Sequence, residues 1–202
     1  MKGSFGTYPR DVRCALRNYQ DLAEAMPDKI IRYDYLTMLD RSREELAGLL
    51  NVATETIVLV ANATTGVNIV LRNLIYQPGD VIVYFDAIYP ACEKTIQYLV
   101  ETTAVEAVKV EGWAFPIEDE DFVAKFRETV TEVQQDSKRR VRIAVFDTVC
   151  SLPGVRMPFE KLTKACRDMG VLSLIDGAHG VGHVKLDLAD LDSDFFISNC
   201  HK

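Results

Sequence analysis

The feature that most constrains the fold of this chain is a repeated alternation of short apolar runs with longer segments of helical periodicity. From about residue 56 onward, most of the apolar runs lack a strict hydrophobic–polar alternation, which is typical of strands covered on both faces. Strands that alternate with helices predict an α/β fold with an open, mostly parallel sheet and helices on both faces. The predicted strands are 56–60, 81–85, 105–110, 141–146, 171–175 and 195–197, and the predicted helices between them are 64–75, 89–101, 118–136 and 159–169.

Residues 1–50 do not follow this alternation. Residues 3–9 are rich in turn-forming types and predict irregular structure. Apolar residues at helical spacing predict one helix over 10–25 and a second helix over 40–50. We therefore predict an N-terminal arm with helices, followed by one large ligand-binding domain over 51–202.

Composition excludes some partners and indicates a compartment. The net charge of −7 and the pI of about 5.0 disfavour nucleic acid or an anionic membrane as a partner. No apolar run approaches the roughly 20 residues that span a bilayer, and the first residues lack a secretory signal. An odd number of cysteines without a C-x-x-C pair indicates a reduced, cytoplasmic protein without a zinc site. These five are Cys14, Cys92, Cys150, Cys166 and Cys200.

Small hydroxyl residues open a helix directly after the first predicted strand. The segment 62–68 carries Thr64 and Thr65 at that helix start. Free backbone N–H groups and the positive end of the helix dipole favour an anion there, and the two hydroxyls can add hydrogen bonds to a phosphate. A plain helix N-cap without a ligand is the alternative. No Walker-A or G-x-G-x-x-G pattern occurs in the chain.

An acid and a histidine follow the strand 171–175. Asp176 ends a buried strand, where a carboxylate is costly unless it is paired, although an N-cap aspartate is the alternative. His179 can stack on a planar ligand or hydrogen-bond near it. His179 and His183 also have the i, i+4 spacing of a metal pair, but no third ligand lies nearby in the sequence, so we predict no metal site.

The chain ends on Asn199, Cys200, His201 and Lys202, directly after the last predicted strand. By residue type alone, Lys202 is expected to be a solvated charge. Its position 26 residues after Asp176, also at a strand end, indicates another role. A lysine there can hold pyridoxal phosphate as a Schiff base while the acid pairs with the pyridinium nitrogen.

Two further strand ends carry candidate ligand-binding residues. Tyr89 follows the strand 81–85, where an aromatic ring can stack on a planar cofactor, and core packing is the alternative. Ser151 follows the strand 141–146, where it can hydrogen-bond the cofactor's phenolic oxygen or belong to a turn. Ligands of such sheets bind beyond the carboxyl ends of the strands, so both positions fit one site.

Taken in order, segments 63–66, 176–180 and 199–202 resemble those of the class V aminotransferases, which are pyridoxal-phosphate enzymes of fold type I. Segments 62–68, 89–95 and 147–158, with the arm 3–9, are similar to the isopenicillin-N-epimerase-like branch, closest to the carbon–sulfur lyases of ergothioneine biosynthesis. The resemblance implies that Lys202 is the Schiff-base and catalytic lysine and that Asp176 pairs with the ring nitrogen. It further implies roles for Thr64, Thr65, Asn199 and His201 around the phosphate, for His179 and Ser151 near the ring oxygen, and for Tyr89 on the ring face.

The resemblance also implies a homodimer with its sites at the subunit interface. The C-terminal small domain of the family, and the arginine that binds the substrate carboxylate, are not among these 202 residues. We therefore expect that these residues alone are not a competent enzyme, and turnover by them alone would contradict this.

The predicted activity is β-elimination from a small amino-acid substrate, a cysteine conjugate or sulfoxide like that of ergothioneine biosynthesis. A cysteine desulfurase and an amino-acid epimerase of the same family are alternatives. A fold-type-I homologue without catalysis is a further alternative, which the presence of both Asp176 and Lys202 disfavours.

Overall fold

A computed structural model describes residues 7–202 of the chain. The described residues divide into two compact units, the first of which comprises 7–59, 187–190 and 201–202. The second unit comprises 60–186 and 191–200. Residues 7–9 have no regular structure, as predicted for 3–9, and the rest of that segment lies outside the described residues. No helix in the described part of the chain is long and apolar enough to cross a membrane.

The helices and strands alternate from residue 63 onward. The α-helices are α1 (Arg10–Ala25), α2 (Pro27–Lys29), α3 (Tyr35–Leu50), α4 (Ala63–Asn73), α5 (Pro90–Thr102), α6 (Asp119–Gln135), α7 (Phe159–Asp168) and α8 (Leu188–Leu191). The strands are β1 (Asp80–Phe85), β2 (Glu106–Val110), β3 (Arg140–Asp147), β4 (Leu172–Gly177) and β5 (Phe195–Ser198).

The five strands form one sheet in the order β2-β1-β3-β4-β5, and every pair is parallel. Parallel neighbours need crossover connections, which α5, α6, α7 and α8 occupy in the chain order. One face carries a core in which Leu71 of α4 and Ile96 of α5 pack with the inward residues of the strands. On the other face Phe85 stacks on Phe122 of α6 at 4.5 Å between ring centroids. The predicted α/β fold with helices on both faces is confirmed.

The order of the strands changes direction at β1. The chain runs from β1 to β2 on one side and then crosses to β3 on the other. Such a switch point leaves a crevice beyond the carboxyl ends of the two central strands, where open α/β sheets bind ligands. β1, β3 and β4 all end at this edge, with Phe85, Asp147 and Gly177 as their last residues.

The predicted strand 56–60 is wrong. Thr54–Thr56 is a 3-10 turn, and 57–62 has no regular structure. Arg43 donates from Nε to the carbonyl of Ile57 at 2.8 Å and from Nη2 to the carbonyl of Thr54 at 2.9 Å, so side-chain donors take the place of strand partners. Val58 is 76% exposed, which shows that an apolar run does not make a strand without a neighbour to pair with.

The predicted helix 40–50 begins earlier than its periodicity indicates. Pro27 starts α2 in the first turn of a helix, a position that suits proline because its missing N–H would be unpaired there. A π-helical segment, Ile30–Asp34, follows and leads into α3. Helical structure therefore replaces most of the predicted connection between the two N-terminal helices.

Candidate active site

Two carboxyl groups lie side by side at the carboxyl ends of β3 and β4. Asp147 and Asp176 are partners in the parallel register of these strands. The pair Val145 and Leu174, two residues earlier on each strand, belongs to the core beneath α4 and α5. Because side chains alternate between faces, both aspartates project toward the same face as that core. Each is only 4% exposed, so the sheet edge holds two buried acids.

Asp176 has a hydrogen-bond donor on each carboxylate oxygen. The backbone N–H of Ala178 donates to Oδ1 at 2.9 Å, and the thiol of Cys92 on α5 donates to Oδ2 at 3.4 Å. Burial, and then the neighbouring charge of Asp176, raise the pKa of the Cys92 thiol, which therefore stays protonated as a donor. Donors on both oxygens favour the ionised form of a carboxylate.

Asp147 has the opposite surroundings. Its Oδ1 is buried without a hydrogen-bond partner among the described residues. Burial, and then the negative charge of Asp176, raise the pKa of Asp147 well above its ordinary range. Burial and the neighbouring charge thus favour the protonated form of Asp147.

A hydrogen bond joins the start of α4 to the residue that follows β5. Asn62 caps the helix by accepting the N–H of Thr65 on its side-chain oxygen at 2.8 Å. Asn199, buried after β5, accepts the N–H of Ala63 at 3.1 Å. The structure thus brings Asn199 and the helix start that carries Thr64 into contact, and both threonines are half-buried.

Two glycines of the motifs allow close packing around this edge. A Cβ on Gly66 would lie 2.6 Å from Cγ2 of Ile197. A Cβ on Gly177 would lie 2.5 Å from Cζ of Phe196 and 2.8 Å from the carbonyl oxygen of Ile197. Since that oxygen belongs to the backbone, only glycine fits next to Asp176 at this spacing.

The remaining candidates of the second unit lie on the loops and helix starts around the sheet. Tyr89 directly precedes α5 and is 43% exposed, and Ser151 is exposed in the loop after β3. His179 is half-buried after β4, with its ring centroid 6.1 Å from that of His183. No group of three or more metal-ligating side chains occurs within the described residues.

His201 and Lys202 belong to the first compact unit, whereas Asp176 belongs to the second. Lys202 is half-buried and His201 is exposed. That the Lys202 amine and the Asp176 carboxylate act on one ligand therefore stays a prediction from the sequence.

Sequence reasoning did not single out Cys92 or Asp147 as site residues. The signal for Cys92 is its place four residues before Ile96 and seven before Leu99, which predicts one buried helix face. The signal for Asp147 is that it ends an apolar strand in the same way as Asp176. Only the strand order shows that the two strand ends are neighbours.

Residues 29–202 match the family model for class-V aminotransferases. The match covers most of the chain, so the chain belongs to this family.

Relatives with curated names act in sulfur chemistry according to those names. The chain is 37% identical over 199 residues to the L-cysteine desulfhydrase-like protein lolT1 of Epichloe uncinata, covering 98% of this chain and 43% of that protein. It is 29% identical over 182 residues to the hercynylcysteine sulfoxide lyase of Schizosaccharomyces pombe, covering 89% of this chain and 44% of that protein. The chain thus spans less than half the length of these relatives.

A solved structure of the cystine C–S lyase C-DES, in complex with its reaction product cysteine persulfide, is similar in fold. The TM-score is 0.86 at 23% sequence identity, and the match covers 98% of this chain and 51% of that one. At this identity the likeness shows the fold alone.

Proposed function

We propose that the full-length protein is a pyridoxal-phosphate-dependent carbon–sulfur lyase. The observation that carries this proposal is the Asp176 carboxylate, buried at the carboxyl edge of the sheet with a donor on each oxygen. An anion kept ionised in this way suits a protonated ring nitrogen, because a charge-assisted hydrogen bond then offsets the cost of burial. Family membership supports the same cofactor.

The chemistry of the residues present suits the cofactor. Asp176 would accept a hydrogen bond from the protonated ring nitrogen, and Tyr89 would cover the ring face. His179 and Ser151 would lie near the ring oxygen. The phosphate would be held by Thr64, Thr65, Asn199 and His201, of which Asn199 already contacts the start of α4. Lys202 would bind the cofactor covalently through Nζ.

Pyridoxal phosphate, when bound, supplies an electron sink for the negative charge that develops at the substrate Cα. Lys202 would act as the general base and take the proton from Cα. The carbon–sulfur bond at Cβ then breaks, and the sulfur group leaves with the bonding electron pair. Asp176 would keep the ring nitrogen protonated, and its hydrogen bonds from Ala178 and Cys92 fix the position of the carboxylate.

For the substrate, we propose a cysteine S-conjugate or sulfoxide, of the kind that the hercynylcysteine sulfoxide lyase relative is named for. L-cysteine itself is a second candidate, because the higher identity is to an L-cysteine desulfhydrase-like protein. Both are β-eliminations with the same products from the amino-acid part, pyruvate and ammonia.

The test is to assay purified full-length protein, loaded with pyridoxal phosphate, for pyruvate and for the sulfur product. Pyruvate from a cysteine sulfoxide but not from L-cysteine supports the first substrate, and the reverse supports the second. Alanine formed from cysteine would indicate a desulfurase, and solvent deuterium at Cα with an intact side chain would indicate an epimerase. A Lys202→Ala variant that still binds the cofactor covalently would contradict the proposal.

We further propose a cytoplasmic homodimer. The resemblance to the family supports the dimer, and the described cysteines, all free, fit a reducing compartment. Light scattering of the full-length protein tests the first statement, and fractionation of the source cells tests the second.

A further inference from the structure

The two acids at the carboxyl edge are too close to be independent. Parallel strands lie about 4.8 Å apart, and Asp147 and Asp176 are register partners whose side chains project toward one face. Like charges at such a separation, away from water, disfavour each other, so one of the two groups holds a proton. Since both side chains are buried, solvent does not screen this repulsion.

The hydrogen bonds decide which group is charged. Asp176 accepts from the backbone N–H of Ala178 and from the thiol of Cys92, and both bonds are stronger to an anion. Asp147 Oδ1 has no partner within the described residues and is buried.

The surroundings of Asp147 also favour its neutral form. It lines a narrow and mostly apolar gap with Phe85, Ile88 and Met157. Among the described residues, Asp176 on β4 and Cys92 on α5 are titratable neighbours of Asp147, and neither adds positive charge. An acid in such a place gains nothing from ionisation.

We propose that Asp147 is a positioning residue that holds the single proton of a buried carboxyl pair at neutral pH and thereby leaves the whole negative charge on Asp176. This assignment rests on the proposed function where it makes Asp176 the partner of the ring nitrogen. The protonation states themselves are a property of the protein without its cofactor. Asp147 acts only through Asp176 and does not touch the substrate.

The first experiment is infrared spectroscopy of the cofactor-free, full-length protein at neutral pH. A neutral carboxylic acid has a carbonyl stretch that ionised carboxylates lack and that shifts in D2O. We expect this band in the wild type and its loss in Asp147→Asn. The control Asp86→Asn changes an exposed acid after β1 and should leave the band unchanged. If Asp147→Asn does not fold, Asp147→Ser serves to assign the band.

The second experiment counts protons on unfolding. A carboxyl group whose folded pKa lies above its unfolded value of about 3.9 keeps one extra proton in the native state, so stability falls as pH rises toward the folded pKa. Between about pH 5 and 7, we expect the free energy of unfolding of the wild type to fall as pH rises. Its slope against pH should exceed that of Asp147→Asn by the amount that corresponds to one proton.

Absence of the infrared band, or its persistence in Asp147→Asn, would overturn the assignment, and so would equal pH slopes for the two proteins. Failure of the proposed function would be recognised separately. It would appear as a lack of cofactor binding or of pyruvate formation, and neither enters these measurements on the cofactor-free protein.

Discussion

A buried acid has a basic register partner at the amino end of the sheet and an acidic register partner at the carboxyl end. At the amino end, Asp80 of β1 is the register partner of Arg140 of β3. Its carboxylate accepts from Arg140 Nε at 2.5 Å and from the N–H of Gln77 at 2.8 Å. At the carboxyl end, Asp147 is instead the register partner of another acid, Asp176. One pair of neighbouring strands thus has matched charges, and the other has like charges.

The same physical effect therefore has different outcomes at the two ends. Burial by itself raises the pKa of Asp80, but the hydrogen bonds and charge of Arg140 and the Gln77 N–H outweigh it and lower that pKa. At Asp147, burial and the charge of Asp176 act together and raise the pKa. The amino end pairs its acid with a cation, whereas the carboxyl end pairs two acids and, by our proposal, keeps one negative charge for a cationic ligand.

The largest expected effect is on activity, from Asp176→Asn. Asp176 is the proposed partner of the ring nitrogen, and we expect its loss to lower turnover in the lyase assay by about 10²–10³-fold, the size of effect seen when one preorganised electrostatic contact is removed from an active site. Thermal unfolding should change little, because asparagine has nearly the same shape as aspartate and its side-chain oxygen still accepts a hydrogen bond. Steady-state kinetics of this variant beside Asp86→Asn measures the effect, and equal turnover in the two would contradict it.

The next effect is on stability, from Asp80→Asn at the amino end. The change leaves Arg140 without its carboxylate, and we expect a loss of about 1–3 kcal/mol in the free energy of unfolding. Glu106→Gln is the matched control, because it removes the more exposed Glu106–Arg139 pair of the same sheet edge. That pair should contribute less than about 1 kcal/mol. Urea unfolding compares the two, and equal losses would remove the contrast between the ends.

The pH dependence of the stability lost in Asp80→Asn tests whether the Asp80 carboxylate is the stabilising group at the amino end. Because the folded pKa of Asp80 is lowered, its stabilisation is complete above the unfolded value of about 3.9 and is lost as pH falls through the folded pKa. We expect the stability gap between wild type and Asp80→Asn to stay constant from about pH 7 to 5 and to shrink below about pH 4. A gap that widens in acid would show that Asp80 is not the stabilising anion.

The smallest effect is expected at Cys92. Serine keeps a donor for Asp176, whereas alanine removes it, so we expect Cys92→Ala to be less stable than Cys92→Ser by about 0.5–1.5 kcal/mol. Chemical unfolding of both variants measures the difference. If alanine is the more stable replacement, the thiol does not support the carboxylate.

The β-α alternation predicted the sheet well, because strands covered on both faces are continuous apolar runs that the sequence displays directly. The predicted strands at 81–85 and 171–175 agree with β1 and β4 to within a residue or two at each end. The segment 56–60 is similarly apolar but is not a strand, since Arg43 donates to the carbonyl of Ile57 and no neighbouring strand is present among the described residues. Apolar composition alone predicted neither burial nor pairing in this segment, since Val58 is 76% exposed.

Some of the candidate site residues were singled out from the sequence because of their local positions. Asp176, Asn199 and the threonines of α4 follow strands or open helices, and such positions can be read from the chain. The thiol of Cys92 and the acid of Asp147 depend on contacts over long sequence separations, 84 residues in the case of Cys92 and Asp176. Periodicity indicates that a side chain is buried, but it does not indicate which side chain lies opposite.

The sequence by itself determined the class of fold, the edge of the sheet that carries polar side chains, and the family, because local periodicity and short motifs are properties of neighbouring residues. Tertiary structure alone decided which acids meet. The order β2-β1-β3-β4-β5 places Arg140 beside Asp80 and Asp147 beside Asp176. The energy of a buried charge depends on its nearest partner, and that partner is set by strand order and register.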